Sequence, residues 1–224
     1  MLCTYTKNHI PKSTPHNRRP GYYMEASTIT IHNTANPAST AMNERNWLTN
    51  PSNKRTASYH LVIDENEVIE CLPLNETAWH SGDGSSSMSG NRSSIGIEIC
   101  ESGDYEKTLD NAVALVAKLL IERGWGIERL RRHFDWSGKI CPRLMYDGGE
   151  WTGWTEFKKR VATKLKPEIK PVSEYVNIRL DGNLLAQKGT LKNGVTTVPV
   201  RAIAEAFGAK VSFNEATRTV IIDK

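Results

Sequence analysis

Thr28-Ile29-Thr30-Ile31-His32 alternates polar and apolar side chains. Alternation is the pattern of a strand packed on one face. It puts Ile29 and Ile31 on one side and Thr28, Thr30 and His32 on the other. Ile95-Gly96-Ile97-Glu98-Ile99-Cys100 reads as a second strand, with three isoleucines on one side and Glu98 opposite them. Residues 59–64 and 68–72 predict two more, joined by the polar turn Glu65-Asn66-Glu67. Helices are expected over 39–48, over 108–123 and over 151–164. Thr108 would cap the second and Gly124 stop it, with Ala112, Leu115, Val116 and Leu119 as its buried stripe. The Gly- and Ser-rich residues 82–94 are expected to be a loop. Strands and helices interleaved around one sheet define an α/β (α+β) domain.

A break is expected where two prolines, Pro167 and Pro171, sit among charges. We therefore read a first domain over 1–165, a linker over 166–172 and a small α+β domain over 173–224. All six histidines and all four cysteines precede the break, so any metal chemistry belongs to the first domain. In the tail, residues 176–180, 211–213 and 219–222 predict strands and residues 200–207 a two-turn helix. Asp181-Gly182 and Asn193-Gly194 are hairpin turns of the favoured type. About 50 residues is near the lower limit for a domain folding alone.

The net charge of +4 is mild, and no Lys/Arg stripe interleaves with aromatics, so no nucleic acid is expected as a partner. The basic run from Lys158 to Lys170 reads as a solvated helix face entering the linker. No stretch approaches the roughly 20 apolar residues a bilayer demands, so no membrane insertion is expected. The N-terminus has no apolar signal-peptide region, so synthesis in the cytoplasm without a signal peptide is the expectation. Cys3, Cys71, Cys100 and Cys141 are spaced too irregularly for a disulfide framework. Free thiols with one metal ligand fit better.

The chemistry-bearing stretch is His133-Phe-Asp-Trp-Ser-Gly-Lys139-Ile-Cys141-Pro142, a loop too irregular for a helix. Two imidazoles, His32 and His133, and the Cys141 thiolate suit a zinc ion that keeps one position open, and an open position supports hydrolysis. Lys139 would place an ammonium where an oxyanion forms. Glu98, in an otherwise apolar strand, is the candidate proton acceptor; a salt bridge to Arg92 is its bland alternative. Tyr59 is a candidate hydrogen-bond donor at the site.

Ile31-His32-Asn33-Thr34-Ala35, Ser58-Tyr59-His60-Leu61-Val62-Ile63, Ala78-Trp79-His80-Ser81-Gly82, Ile95-Gly96-Ile97-Glu98 and the His133–Pro142 stretch occur in this order. The set resembles the type 2 zinc amidases, the N-acetylmuramoyl-L-alanine amidases of phage endolysins, bacterial autolysins and peptidoglycan recognition proteins. The resemblance covers residues 20–165. It implies a central mixed β-sheet flanked by helices, Zn2+ held by His32, His133 and Cys141, Glu98 and Lys139 as the catalytic pair, and Tyr59 as an active-site tyrosine. It also implies that His80 lies in the groove near substrate, bacterial peptidoglycan. The serine-rich 82–92 loop is a departure that bears on the groove's shape. The tail resembles the domain named for the N-terminal stalk of copper amine oxidases. With no His, Cys or Met after Met145, copper binding is implausible there, and wall binding or homodimer formation is the expected use.

The biological expectation is a phage or prophage endolysin, made in the host cytoplasm and acting at the bacterial cell wall, with a host autolysin as the alternative. Three other readings stay open on the residues: a non-catalytic peptidoglycan-binding module, a cysteine peptidase using Cys141 or Cys100 with His133, and a structural zinc site with Cys100 as fourth ligand.

Overall fold

The computed structural model describes residues 3–166 and 175–224. The expected linker, 166–172, lies outside them but for its first residue. The chain divides into two compact units, Met1–Pro167 and Glu168–Lys224.

The first unit runs β1 (Thr4–Lys7), β2 (Thr28–Asn33), α1 (Ala41–Trp47), β3 (Leu61–Ile63), β4 (Glu67–Glu70), α2 (Gly90–Ser93), β5 (Ser94–Ile99), α3 (Tyr105–Arg123), β6 (Leu130–Arg132), α4 (Phe134–Ser137) and α5 (Thr152–Leu165). The strands form one mixed sheet in the order β1-β4-β3-β5-β2-β6. Only the β3–β4 pair is antiparallel. Ile29, Ile31, Ile95, Ile97 and Ile99 are fully buried and join the cluster that includes Val116 and Leu120 of α3 and Phe157 and Val161 of α5. The other face packs Val62, Ile69, Tyr59, Cys71 and Cys100 against Ala41 of α1 and Leu48. Five buried isoleucines at about 2 kcal/mol each outweigh the few kcal/mol of holding one carboxylate and one imidazole on the reverse side of the same two strands. The sheet therefore tolerates His32 and Glu98.

Several expectations are corrected. Asp104, not Thr108, caps α3: its carboxylate accepts from the Lys107 N–H at 3.1 Å, and Thr108 lies one turn inside, its hydroxyl donating to the Asp104 carbonyl. Gly124 stops the helix with φ of 64°. The 82–94 loop closes with one turn of helix, α2, because Asp83 accepts from the Gly90 N–H and Asn91 donates to the Gly84 carbonyl. The stretch after His133 also contains a helical turn, α4, ended by Gly138 at φ 74°. Strands β1 and β6 were not anticipated; Leu130-Arg131-Arg132 is too short to show a period, and pairing with β2 alone defines it. All four cysteines are free.

The second unit contains the antiparallel sheet β7 (Tyr175–Leu180), β8 (Asn183–Lys192) and β9 (Val195–Thr197), then α6 (Val200–Ala206) and the hairpin β10 (Lys210–Asn214) with β11 (Thr219–Asp223). Asp181, Gly182, Asn193 and Gly194 all have positive φ, the condition that selects Asn-Gly and Asp-Gly at two-residue hairpins. Strand β8 was missed because Gly189 interrupts it; a Cβ there would stand 2.8 Å from the Thr197 carbonyl oxygen. Among the described residues no helix is long and apolar enough to cross a membrane.

Candidate metal centre and its cleft

Register assembles the site. In the parallel β2–β5 pair His32 lies opposite Glu98, so both side chains leave the same face near the carboxyl ends of their strands. β6 delivers His133: its N–H donates to the Ile31 carbonyl at 3.3 Å, one step beyond the β2–β6 ladder. Cys141 is returned to this point by the Phe134 N–H donating to its carbonyl at 3.1 Å, and by the Leu144 N–H donating to Asn33 Oδ1 at 3.1 Å.

The result is a compact donor set. His32 Nδ1 lies 3.0 Å from His133 Nδ1 and 3.7 Å from Cys141 Sγ. All three donor atoms fall within 4.8 Å of one another, and all three residues are buried. Zinc–nitrogen and zinc–sulfur bonds at tetrahedral angles give edges of about 3.3 Å and about 3.6 Å, so the trio fits such an ion. A second observation agrees: Glu98 Oε2 is buried with no hydrogen-bond partner, while its Oε1 stands 3.9 Å from His32 Nδ1. Orphaned buried carboxylate oxygens are costly unless something else satisfies them.

Burial, then the neighbouring His80 and His133, holds His32 well below the ordinary imidazole range. Burial and Lys139 lower His133 to about 4. Both rings are thus neutral at physiological pH, the form a cation needs. Burial first, and Glu98 second, push the Cys141 thiol up to about 12, against the Asn33 N–H and Lys139. A thiol so held is a poor nucleophile, which argues against a cysteine peptidase, whereas a bound cation deprotonates it outright. Cys100 is no part of the trio; it packs with Tyr59, Val62 and Cys71 in the apolar cluster beneath α1. The readings that used it as fourth ligand or nucleophile lose their geometric basis.

Glu98 is only 16% exposed. Burial, with a contribution from Glu44 and against Lys139, raises its carboxyl to about 8. The alternative salt bridge to Arg92 does not form; that guanidinium lies over the Tyr22 ring at 5.5 Å. Lys139 is exposed and lines the same cleft of about 340 Å³, as do Tyr59 and His80. The Tyr59 hydroxyl donates to the Glu44 carbonyl at 2.8 Å and stands 3.3 Å from its carboxylate. Both His80 ring nitrogens are engaged within the fold, with His32 Nε2 and the Ser94 carbonyl, each at 3.1 Å.

Glu44, Trp47, Arg55 and Trp79 also line the cleft and were not anticipated. The helical reading of 39–48 gave no hint of which face looks inward. That is decided by docking: Asp64 accepts from the Ala41 N–H at 2.9 Å and fixes the start of α1 on the sheet. Gly96 is a further unanticipated requirement. A Cβ there would stand 2.7 Å from the His80 ring. Gly96→Ala is expected to destabilise the protein by about 1–3 kcal/mol through overpacking, measured as a lowered denaturant midpoint; an unchanged midpoint would show that the His80 ring moves freely.

The mixed sheet thus brings three donors that could hold a metal ion and a neighbouring unpartnered carboxylate oxygen to one cleft of an α/β scaffold. The sequence model of the N-acetylmuramoyl-L-alanine amidase family matches residues 22–144, more than half of the chain, and the chain belongs to that family. N-acetylmuramoyl-L-alanine amidase XlyB of Bacillus subtilis (strain 168) is 51% identical over 198 residues, covering 84% of this chain and 56% of that protein. N-acetylmuramoyl-L-alanine amidase CwlA of the same strain is 41% identical over 181 residues, covering 79% of this chain and 62% of that one. The chain therefore spans 56–62% of the length of these two relatives. A solved mutant endolysin from Bacillus subtilis is similar with a TM-score of 0.64 at 41% identity, over 71% of this chain and 99% of that one. The copper amine oxidase N-terminal domain matches residues 154–223; the match begins inside α5, which packs on α3 in the first unit.

Proposed function

We propose that this chain hydrolyses the amide bond between N-acetylmuramic acid and L-alanine in bacterial peptidoglycan, in a zinc-dependent reaction, as a phage or prophage endolysin. The observation that carries the reading is the convergence of His32, His133 and Cys141 beside the unpartnered Glu98 Oε2 in one open cleft. The printed names of the relatives support the bond class, and the endolysin relative supports the biological role.

His32 Nδ1, His133 Nδ1 and Cys141 Sγ would hold the zinc, which would supply Lewis acidity and a water more acidic than bulk. In its ionised form Glu98 has Oε2 unpaired and able to take the proton of the attacking water. As the water oxygen bonds to the lactyl carbonyl carbon, the Lys139 ammonium at the cleft stabilises the charge growing on the carbonyl oxygen. The carbon–nitrogen bond breaks, and Glu98 returns its proton to the departing L-alanine amine, leaving a free lactyl carboxylate. Tyr59, anchored on Glu44, forms part of the wall against which substrate lies, and His80 lies at the inner end of the groove. Lys139→Ala is expected to lower turnover by about 10²–10³-fold with zinc content unchanged; near-normal turnover removes Lys139 from the scheme.

Residues 1–165 form the catalytic domain in this reading, 166–172 the linker, and 173–224 a small domain for wall binding or homodimer formation. The partner is peptidoglycan at the cell wall, not nucleic acid or membrane. A host autolysin would use the same chemistry. A non-catalytic binding module would have no use for a free carboxylate beside a three-donor centre. Mass analysis of digested cell wall tests the reading: new L-alanine amino termini without new reducing sugar ends are expected, and reducing ends or no product would overturn it.

A further inference from the structure

The ring of His80 stands behind His32, perpendicular to it, with centroids 5.2 Å apart. His80 Nε2 lies 3.1 Å from the Ser94 carbonyl oxygen. A carbonyl only accepts, so this nitrogen carries the proton. In a neutral ring His80 Nδ1 then holds a lone pair, and it lies 3.1 Å from His32 Nε2. His32 Nε2 must donate, and that leaves the lone pair of His32 on Nδ1. Nδ1 is the atom that faces His133 Nδ1 at 3.0 Å and Cys141 Sγ at 3.7 Å. Only a neutral imidazole can offer a lone pair to a cation, and for neutral rings this is the one proton order the contacts allow.

We infer that His80 is a positioning residue: through the Ser94 carbonyl it fixes the tautomer and ring plane of His32, aiming the Nδ1 lone pair into the donor trio before any cation arrives. The inference rests on the metal-centre reading above and deepens it. It also gives His80 a different task from touching substrate, since neither of its ring nitrogens is free to do so.

The surroundings hold His80 to this one arrangement. Its backbone N–H donates to Asn91 Oδ1 at 2.6 Å. Gly96 leaves the space its ring fills. His60, the other imidazole beside it at 5.8 Å, cannot compete for its nitrogens. His60 Nδ1 accepts from the Gly96 N–H at 2.9 Å, and its Nε2 donates to the Glu76 carbonyl at 2.8 Å. The proton order therefore runs one way, from the β5 backbone to the centre. Outer partners of this kind orient a ligating imidazole and raise its basicity, and their loss typically weakens metal binding 10–100-fold.

Two measurements on the full chain test this. In the metal-free wild type, long-range ¹H–¹⁵N correlation of the imidazoles is expected to show His32 protonated at Nε2 and bare at Nδ1. Zinc affinity, read by competition with a chromogenic chelator, is expected to fall about 10–100-fold in His80→Phe, which keeps a ring and loses the acceptor. His80→Asn places an amide oxygen where Nδ1 was and is expected to stay within about threefold of wild type. A proton on His32 Nδ1 in the wild type, or wild-type zinc affinity in His80→Phe, overturns the inference. If the wild type takes up no zinc at all, the metal-centre reading fails instead, and the tautomer measurement still decides the role of His80. The same measurement decides it should His80→Phe fail to fold.

Discussion

Glu98→Gln is expected to lower turnover by about 10²–10⁴-fold and, at pH 8 and above, to make the metal-free protein more stable. The first effect follows from removing a buried carboxylate oxygen, Glu98 Oε2, that no protein group already uses. The second follows from burial. Glu98 is raised to about 8 in the folded protein, from 4.5. A carboxyl raised on folding contributes fully below its unfolded value, and that contribution is lost as pH climbs through the folded one. Between about pH 4.5 and pH 8 the folded chain must hold a proton or accept a buried charge, and the cost levels off above that window. Glutamine has no such cost. The stability difference between variant and wild type should be near zero at pH 4 and reach about 2–4 kcal/mol at pH 9. Urea midpoints of both metal-free proteins across this range check it. A constant difference at all pH values would show that Glu98 is solvated, and unchanged turnover would remove it as the proton carrier.

Replacing Cys141, the proposed third metal ligand, has the other large consequence. Cys141→Ala leaves two imidazoles, too few for a tight zinc site. Any cation that binds only the folded chain stabilises it by about 4 kcal/mol when present at a thousand times its dissociation constant. That gain is expected in the wild type and absent in the variant, read as the difference in Tm with zinc and with chelator. Without metal the two proteins should differ by about 1 kcal/mol or less, since the thiol is small and its hydrogen bonds weak. Turnover should vanish in the variant and in chelated wild type, and return to the wild type alone on adding zinc. Turnover that survives chelation but stops on thiol alkylation would turn Cys141 into a nucleophile.

The strands that form the core were legible because their periods are clean. Ile29 and Ile31, and the three isoleucines of β5, announce one buried face, and that face also locates His32 and Glu98 opposite it. The α3 stripe was legible for the same reason, while its cap was not: Asp104 and Thr108 are both good capping residues, and only the backbone's path shows which one stands at the first turn. β6 carried no period, yet it delivers His133, so the sequence held the candidate ligand without the strand that places it. The cleft's far wall was not legible. Glu44 and Trp47 lie on a short helix whose inward face depends on the Asp64 anchor.

The amino-acid order by itself determined which donors exist and which strands bury them, because side-chain type and a period of two are local properties. It also determined the turns of the tail, where Asp-Gly and Asn-Gly meet a backbone requirement only such pairs satisfy readily. Tertiary structure alone decided that residues 32, 98, 133 and 141 meet. Parallel strand register, and a loop pinned by backbone hydrogen bonds, fix distances across about a hundred positions of chain, and no local pattern encodes those. It decided the proton order of the buried histidines too, since a tautomer is set by whatever lies at the ring's other nitrogen.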